Sequence, residues 1–178
     1  MLCSIIAARN GCEVFLFEKN EKLGKKLYIT GKGRCNVTNN CEVEDLLRAV
    51  MTNSKFLYSA FYTFNSQDMM ALLEEAGVPL KTERGNRVFP QSDRSSDIIR
   101  GLERLMKKYD VHVRFRSEVR EILTKDGAAT GISLADGEVQ NADAVVVATG
   151  GLSYPTTGST GDGYRFAQET GHKVTELS

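Results

Sequence analysis

The chain has 178 residues, 41% of them hydrophobic and 26% charged, with 23 Lys and Arg balancing 23 Asp and Glu. This composition describes a folded domain with one ordinary core and excludes a disordered or low-complexity chain. It provides no global field for nucleic acid or an acidic membrane, and no apolar run is long enough to span a bilayer.

The four cysteines, Cys3, Cys12, Cys35 and Cys41, form no C-x-x-C pair, and only His112 and His172 could complete a metal site. Structural zinc and a thioredoxin-like centre are therefore disfavoured, and no metal is expected. Cys3 and Cys12 lie in apolar runs and are expected in the core. Free thiols suit a reducing cytoplasm, and the opening MLCSIIAARNG lacks the flank and cleavage site of a signal peptide.

In chain order, residues 2–10 show helical spacing and Gly11 follows as a C-terminal stop. Residues 12–18 (CEVFLFE) read as a strand whose near-continuous apolar run suits a parallel sheet covered on both faces. A helix followed by a strand ending in an acid is the second half of a dinucleotide-binding βαβ unit. In that unit the acid lies about 20 residues beyond a Gly-rich turn and holds ribose hydroxyls. Counting back from Glu18 passes Met1, so the first strand and its G-x-G-x-x-G turn are expected to be missing. The loop after Glu18 (KNEKLGKKLYITGKGRCN) could be a P-loop, but its spacing fails: Gly24 and Gly31 are too far apart, and Gly33 follows Lys32 where Ser or Thr is required. What remains is a glycine-punctuated backbone with Lys and Arg placed for phosphates. On charge alone, a solvated basic loop is the simpler reading.

Residues 42–51 and 55–64 are expected to be helical, with Ser66 capping a third helix over 67–76. Phe56, Tyr58, Phe61, Tyr62 and Phe64 are assigned by default to core between helices. Residues 81–83 and 87–89 flank a hairpin turn. Pro90-Gln91-Ser92-Asp93 leads into a helix through residue 109, with Ile98, Ile99, Leu102, Leu105 and Met106 inward and Arg100, Arg104, Lys107 and Lys108 solvated. After a strand at 111–115, residues 119–123, 129–134 and 138–141 form an antiparallel meander joined by Asp126-Gly127 and Asp136-Gly137. Residues 144–148 (AVVVA) then read as a buried parallel strand ending in Thr149-Gly150-Gly151. A second Gly/Thr/Ser loop precedes a helix at about 162–170, where Asp162 is placed as a cap offering backbone N–H groups to an anion. This order is the layout of the FAD domain in flavoproteins with two dinucleotide-binding domains. The expected fold is α/β: an incomplete Rossmann-like FAD-binding domain with a parallel sheet and a three-stranded antiparallel β-meander. As a whole, 1–178 reads as a partial FAD/NAD(P)-binding domain, with an inserted helical segment at about 42–109 and the meander at about 117–141.

At EKNEKLGKK, ITGKGRCNVTN, VFPQSD, ATGGLSYPTTGSTGDGY and GHKV the sequence resembles the BaiN-like (YhiN-type) flavoproteins, NAD(P)/FAD-dependent oxidoreductases, over almost its whole length. The resemblance puts Glu18 on the adenosine ribose and Lys19, Lys25 and Lys26 near the phosphates. It puts Thr30, Gly31, Arg34, Cys35 and Asn36 beside the pyrophosphate and flavin. The Val119 backbone would meet the adenine edge, and Thr149, Gly150 and Gly151 would close the pocket. A full member of that family would begin upstream of Met1 and continue past Ser178 into a substrate domain, so the chain is expected to hold about half of the fold.

The implied activity is hydride transfer from reduced nicotinamide through FAD to a small organic substrate such as a steroid-like enone. No nucleic acid or membrane partner is expected, and no catalytic residue is named. Cys35 is either a thiolate activated by Arg34 and Lys32 or a buried, inert thiol packed on the cofactor. The chain alone is expected to be an inactive, marginally stable fragment with weak FAD affinity. The alternatives are a standalone FAD- or nucleotide-binding module completed by a partner chain, and a plain NAD-binding Rossmann protein, for which the loop after Glu18 is too long.

Overall fold

The computed structural model describes residues 1–176. In chain order the elements are α1 (Leu2–Arg9), β1 (Phe15–Glu18), α2 (Lys25–Ile29), a 3-10 turn (Thr30–Gly33), β2 (Thr38–Asn39), α3 (Val43–Ala49), a 3-10 turn (Ser54–Leu57), α4 (Tyr58–Thr63) and α5 (Ser66–Glu75). Then follow β3 (Leu80–Glu83), β4 (Arg87–Pro90), α6 (Ser95–Lys108), β5 (His112–Phe115), β6 (Val119–Lys125), β7 (Ala128–Leu134), β8 (Val139–Asn141), a 3-10 turn (Pro155–Thr157) and α7 (Asp162–Glu169). Two units divide them: Met1–Val14 with Leu27–Val111, and Phe15–Lys26 with the chain from His112 onward.

The first unit is built around α6. Ile98, Ile99, Leu102, Leu105 and Met106 recur at helical spacing, and all are buried. They meet α1, whose Ile5 is buried, and α5, which contributes Leu72 and Leu73. The antiparallel sheet β2-β4-β3 contributes the buried Val88 and Phe89. Its β3–β4 hairpin pairs Glu83 with Arg87 across residues 84–86, where Gly85 and Asn86 take positive φ, as expected of that turn. The cap of α5 is Asn65, not Ser66. The Asn65 side chain accepts from the Gln67 and Asp68 N–H groups while Asp68 accepts from the Asn65 N–H, a capping box.

Several further expectations fail in this unit. Residues 55–64 do not form one helix: the Asn53 backbone takes a left-handed φ of 54°, and a 3-10 turn intervenes before α4. The aromatic group there is not core, since Phe56 is 80% exposed and Tyr58 and Tyr62 are also exposed, Tyr62 bonding the Glu44 carboxylate. Cys3 and Cys12 are exposed thiols: Cys3 takes the outward side of α1, and Cys12 lies in the turn before β1. Arg104 is also more than a solvated charge, because its guanidinium donates to the Ala76 and Gly77 carbonyls at the end of α5.

In the second unit β1 pairs in parallel with β5, register Phe15 to His112 through Glu18 to Phe115. β1 begins at Phe15, and Cys12 and Glu13 before it are exposed. The meander forms as expected, order β6-β7-β8, with Asp126 and Gly127 at positive φ in its first turn. Residues 144–148 are the main departure. They form no strand, and Val146 is 68% exposed. β-propensity gives no ladder without a neighbour to accept its backbone bonds, and no strand among the described residues pairs there.

The burial map yields a paired test by urea unfolding. Leu73→Ala, at a fully buried position, is expected to lose about 2–5 kcal/mol of stability. Phe56→Ala is expected to stay within about 0.5 kcal/mol of the parent. A comparable loss at Phe56 would restore it to the core.

Candidate functional site

The residues expected to contact the cofactor fall into one group per unit. In the second unit, β1 ends at Glu18 and the chain turns back on itself. The Glu18 carboxylate accepts from the Asn20 backbone N–H (2.8 Å) and from Asn20 Nδ2 (2.7 Å). Asn20 in turn donates to the Thr157 carbonyl, so it joins the acid to the Gly/Thr/Ser loop. Lys19 Nζ donates to Thr160 Oγ1 (2.6 Å) and Asp162 Oδ2 (2.7 Å). Burial pushes the Asp162 carboxyl up, but the bonds from Lys19 and Thr160 outweigh it and hold the group below its usual range. Lys26 Nζ donates to the Ser153 carbonyl (2.6 Å) and hydroxyl (2.9 Å), and lies 5.1 Å from the Tyr154 ring centre. Lys25 bonds Asn20 and Glu21. These lysines thus bind the loop at 153–162 and their own turn, where free phosphate donors were expected. Sequence reasoning overlooked Asn20, Ser153 and Thr160, which carry no charge to flag them.

That loop brings Thr149, Gly150 and Gly151 to the start of α7. Gly161 is the N-cap of α7, with φ +84°, so Asp162 is its first helical residue and not the cap. Several glycines leave no room for a side chain: a Cβ on Gly150 would sit 2.7 Å from Ser159 Oγ, and one on Gly158 2.7 Å from Asn20 Nδ2. Thr149 Oγ1 is buried and has no hydrogen-bond partner among the described residues, lying 3.2 Å from where a Cβ on Gly163 would stand. Such orphaned hydroxyls are rare in folded proteins, and leaving one unpaired costs about 1–3 kcal/mol. Val119, the remaining member of this group, opens β6 opposite Leu134.

In the first unit, Thr30, Gly31, Arg34, Cys35 and Asn36 form one tight turn. Gly31, Lys32, Gly33 and Cys35 all have positive φ. A Cβ on Gly31 would fall 2.9 Å from the Asn36 N, so glycine is required there. The Arg34 N–H bonds the Gly31 carbonyl and the Cys35 N–H bonds the Thr30 carbonyl. The Asn36 amide donates to the Thr38 carbonyl (3.1 Å) and the Val88 carbonyl (3.3 Å). Arg34 does not extend free for a phosphate. It bonds Asp93 and Glu83 and lies 4.1 Å from the Phe89 ring centre. The bond to Glu83, then that to Asp93, raises the Arg34 pKa further. Cys35 is 1% exposed, and burial pushes its thiol up, against a smaller downward pull from the Thr30 hydroxyl. Its burial favours the second reading of Cys35, a buried thiol, over an exposed thiolate.

These features fit a flavin dinucleotide: an acid at the end of a parallel strand, an orphaned buried hydroxyl, and glycine turns that admit backbone close to a ligand. The family model described as HI0933-like protein Rossmann domain matches residues 1–178. The chain belongs to this family. It is 30% identical over 179 residues to the 3-dehydro-bile acid delta(4,6)-reductase of Clostridium scindens, covering 99% of this chain and 42% of that protein. It is 32% identical over 175 residues to the ribosomal RNA dihydrouridine synthase of Escherichia coli, covering 98% and 42% respectively. The chain therefore spans about two fifths of the length of these curated relatives. Its fold matches a flavocytochrome c3 fumarate reductase in its open conformation, TM-score 0.71 at 24% identity, over 94% of this chain and 38% of that one. The Rossmann fold is thus shared with this flavocytochrome. Among the described residues, no helix is long and apolar enough to cross a membrane.

Thiol chemistry provides a direct check. An aromatic disulfide reagent at pH 8 is expected to modify Cys3 and Cys12 readily in the native protein, and Cys35 only after unfolding. Prompt native labelling of Cys35 would mean that its thiol is open and activated.

Proposed function

We propose that this chain is the FAD-binding portion of a flavin-dependent oxidoreductase that passes a hydride from reduced nicotinamide to an activated carbon–carbon double bond. The Thr149 hydroxyl carries the reading: it is buried and, among the described residues, unpartnered in a glycine turn beside the first turn of α7. A ligand with phosphate and hydroxyl oxygens would give that group the partner it lacks.

When bound, the isoalloxazine carries the hydride, and the protein supplies binding and orientation. Glu18 is the acceptor for ribose hydroxyls, in exchange for or alongside the Asn20 donors it now holds. Lys19, Lys25 and Lys26 supply charge for the phosphates, and Val119 keeps its proposed place at the adenine edge. Thr30, Gly31, Arg34, Cys35 and Asn36 form the turn proposed for the pyrophosphate and flavin. Cys35, buried within that turn, is assigned no proton-transfer role.

The relatives support a reductase of ring double bonds, one by the word reductase beside its double-bond positions, the other because dihydrouridine is uridine with a ring double bond saturated. The two named substrates differ, and the proposal rests on the reduction of a double bond that both names share, with a small enone as the substrate class it takes. The domain assignment follows: residues 1–178 are a nucleotide-binding segment with the helical insertion at 42–109 and the meander at 117–141.

Thr149→Val tests the reading by FAD fluorescence quenching together with thermal unfolding. The variant is expected to weaken FAD binding about tenfold, about 1.4 kcal/mol, while its stability stays level or rises because an unpaired hydroxyl has been removed. Unchanged FAD affinity, or a clear loss of stability, would assign the hydroxyl to the fold and remove the support.

A further inference from the structure

The VFPQSD stretch, Val88–Asp93, has no place in the cofactor contacts proposed above, yet it meets the 30–36 turn at several points. Phe89 is 4% exposed and lies under the Arg34 guanidinium, 4.1 Å from ring centre to Cζ. The same ring comes within 3.6 Å of where a Cβ on Gly31 would stand. Asp93 takes a left-handed φ of 57°, which turns its carboxylate back toward the turn. Its Oδ1 accepts from Arg34 Nε (2.8 Å) and Nη2 (2.5 Å), and its Oδ2 accepts from Lys81 Nζ (2.6 Å). Glu83 Oε1 also accepts from Arg34 Nη2 (2.5 Å), with Lys81 at 3.4 Å. Val88 completes the contact through its carbonyl, which accepts from the Val37 N–H (2.8 Å).

We infer that Asp93 is a positioning residue: it holds Arg34, and through Arg34 fixes the Gly31–Cys35 backbone that the proposed function assigns to the cofactor. Arg34 is then a structural pin and not a phosphate ligand. Its planar fork reaches Asp93 and Glu83 at once while stacking on Phe89, which lysine cannot do. The turn needs such a pin because four of its residues, Gly31, Lys32, Gly33 and Cys35, have positive φ, two of them non-glycine. The groups facing Asp93 are Lys81 and Arg34, and those facing Glu83 are Arg34 and Lys81. Lys81 first, then Arg34, holds the Asp93 carboxyl below its ordinary 3.8; Arg34 first, then Lys81, holds the Glu83 carboxyl below 4.5. Because both are depressed, the pin is complete above the ordinary carboxylate range and is lost as pH falls through the lowered values.

The inference rests on the flavin reading for its functional consequence, so the test has an arm that needs no flavin. Asp93→Asn, Arg34→Met, the double variant and Arg34→Lys are compared by amide hydrogen-exchange protection of residues 30–36 without ligand, and by FAD titration. Both single variants are expected to lower protection in 30–36 about tenfold while protection in α6 is unchanged. The double variant is expected to be no worse than either, and Arg34→Lys not to rescue. Parent protection is expected to be flat from about pH 8 to about pH 5 and to fall below about pH 4, a fall that Asp93→Asn reduces to the part Glu83 still carries. FAD affinity is expected to follow protection, with the two single losses equally non-additive. Unchanged protection in Asp93→Asn, or protection lost across the whole unit, overturns the inference. So does weaker FAD binding in Arg34→Met alone, which would return Arg34 to the phosphates. Failure of the parent to bind FAD removes the flavin reading and leaves the exchange arm to decide the pin.

Discussion

The parallel pairing of β1 with β5 determines where Glu18 stands. Four register pairs from Phe15 to Glu18 end at the acid, and the Ser117 N–H to Glu18 carbonyl and Arg116 N–H to Asn20 carbonyl bonds carry the pairing into the following turn. From there Asn20, Lys19 and Lys26 reach the 153–162 loop, and that loop sets Thr149 against α7. If the ladder slipped by one residue, Glu18 would turn to the other face of the strand, and each of these bonds would lose its geometry.

Charge is arranged differently from what a simple phosphate-site reading implies. Lys19, Lys25 and Lys26 are bonded to Asp162, Thr160, Ser153, Asn20 and Glu21 in the second unit, and Arg34 to Asp93 and Glu83 in the first. Each cation therefore orders a loop. For Lys19 and Lys26 the same ammonium could later share its donors with a phosphate, because an –NH3+ group has three. Arg34 is held in two directions and stacked, which suits it to fixing backbone.

Legibility followed the reach of the forces involved. The apolar face of α6, the β3–β4 hairpin and the Asp-Gly turns of the meander are local patterns, and they form where the sequence places them. The stretch AVVVA failed because strand formation depends on a neighbour outside the pattern. The aromatic residues of α4 failed because burial depends on what packs against them, which spacing cannot reveal. Gly31 was legible as a close-approach position because its backbone need is strict, whereas Gly150 entered only through the family resemblance. Asn20 and Thr160 were not legible, since the bonds that join the two stretches, Asn20 to Thr157 and Lys19 to Thr160, span more than 130 positions. Asp93 stood in a noticed motif, but its link to Arg34 spans 59 positions.

The most direct test of the account is a map of backbone amide shifts in the 15N-labelled chain as FAD is added. The account predicts saturable shifts at 18–20, 25–26, 30–36 and 149–162, with the outward aromatic helix at 58–63 silent. Shifts confined to other surfaces, or none at saturating FAD, would contradict it.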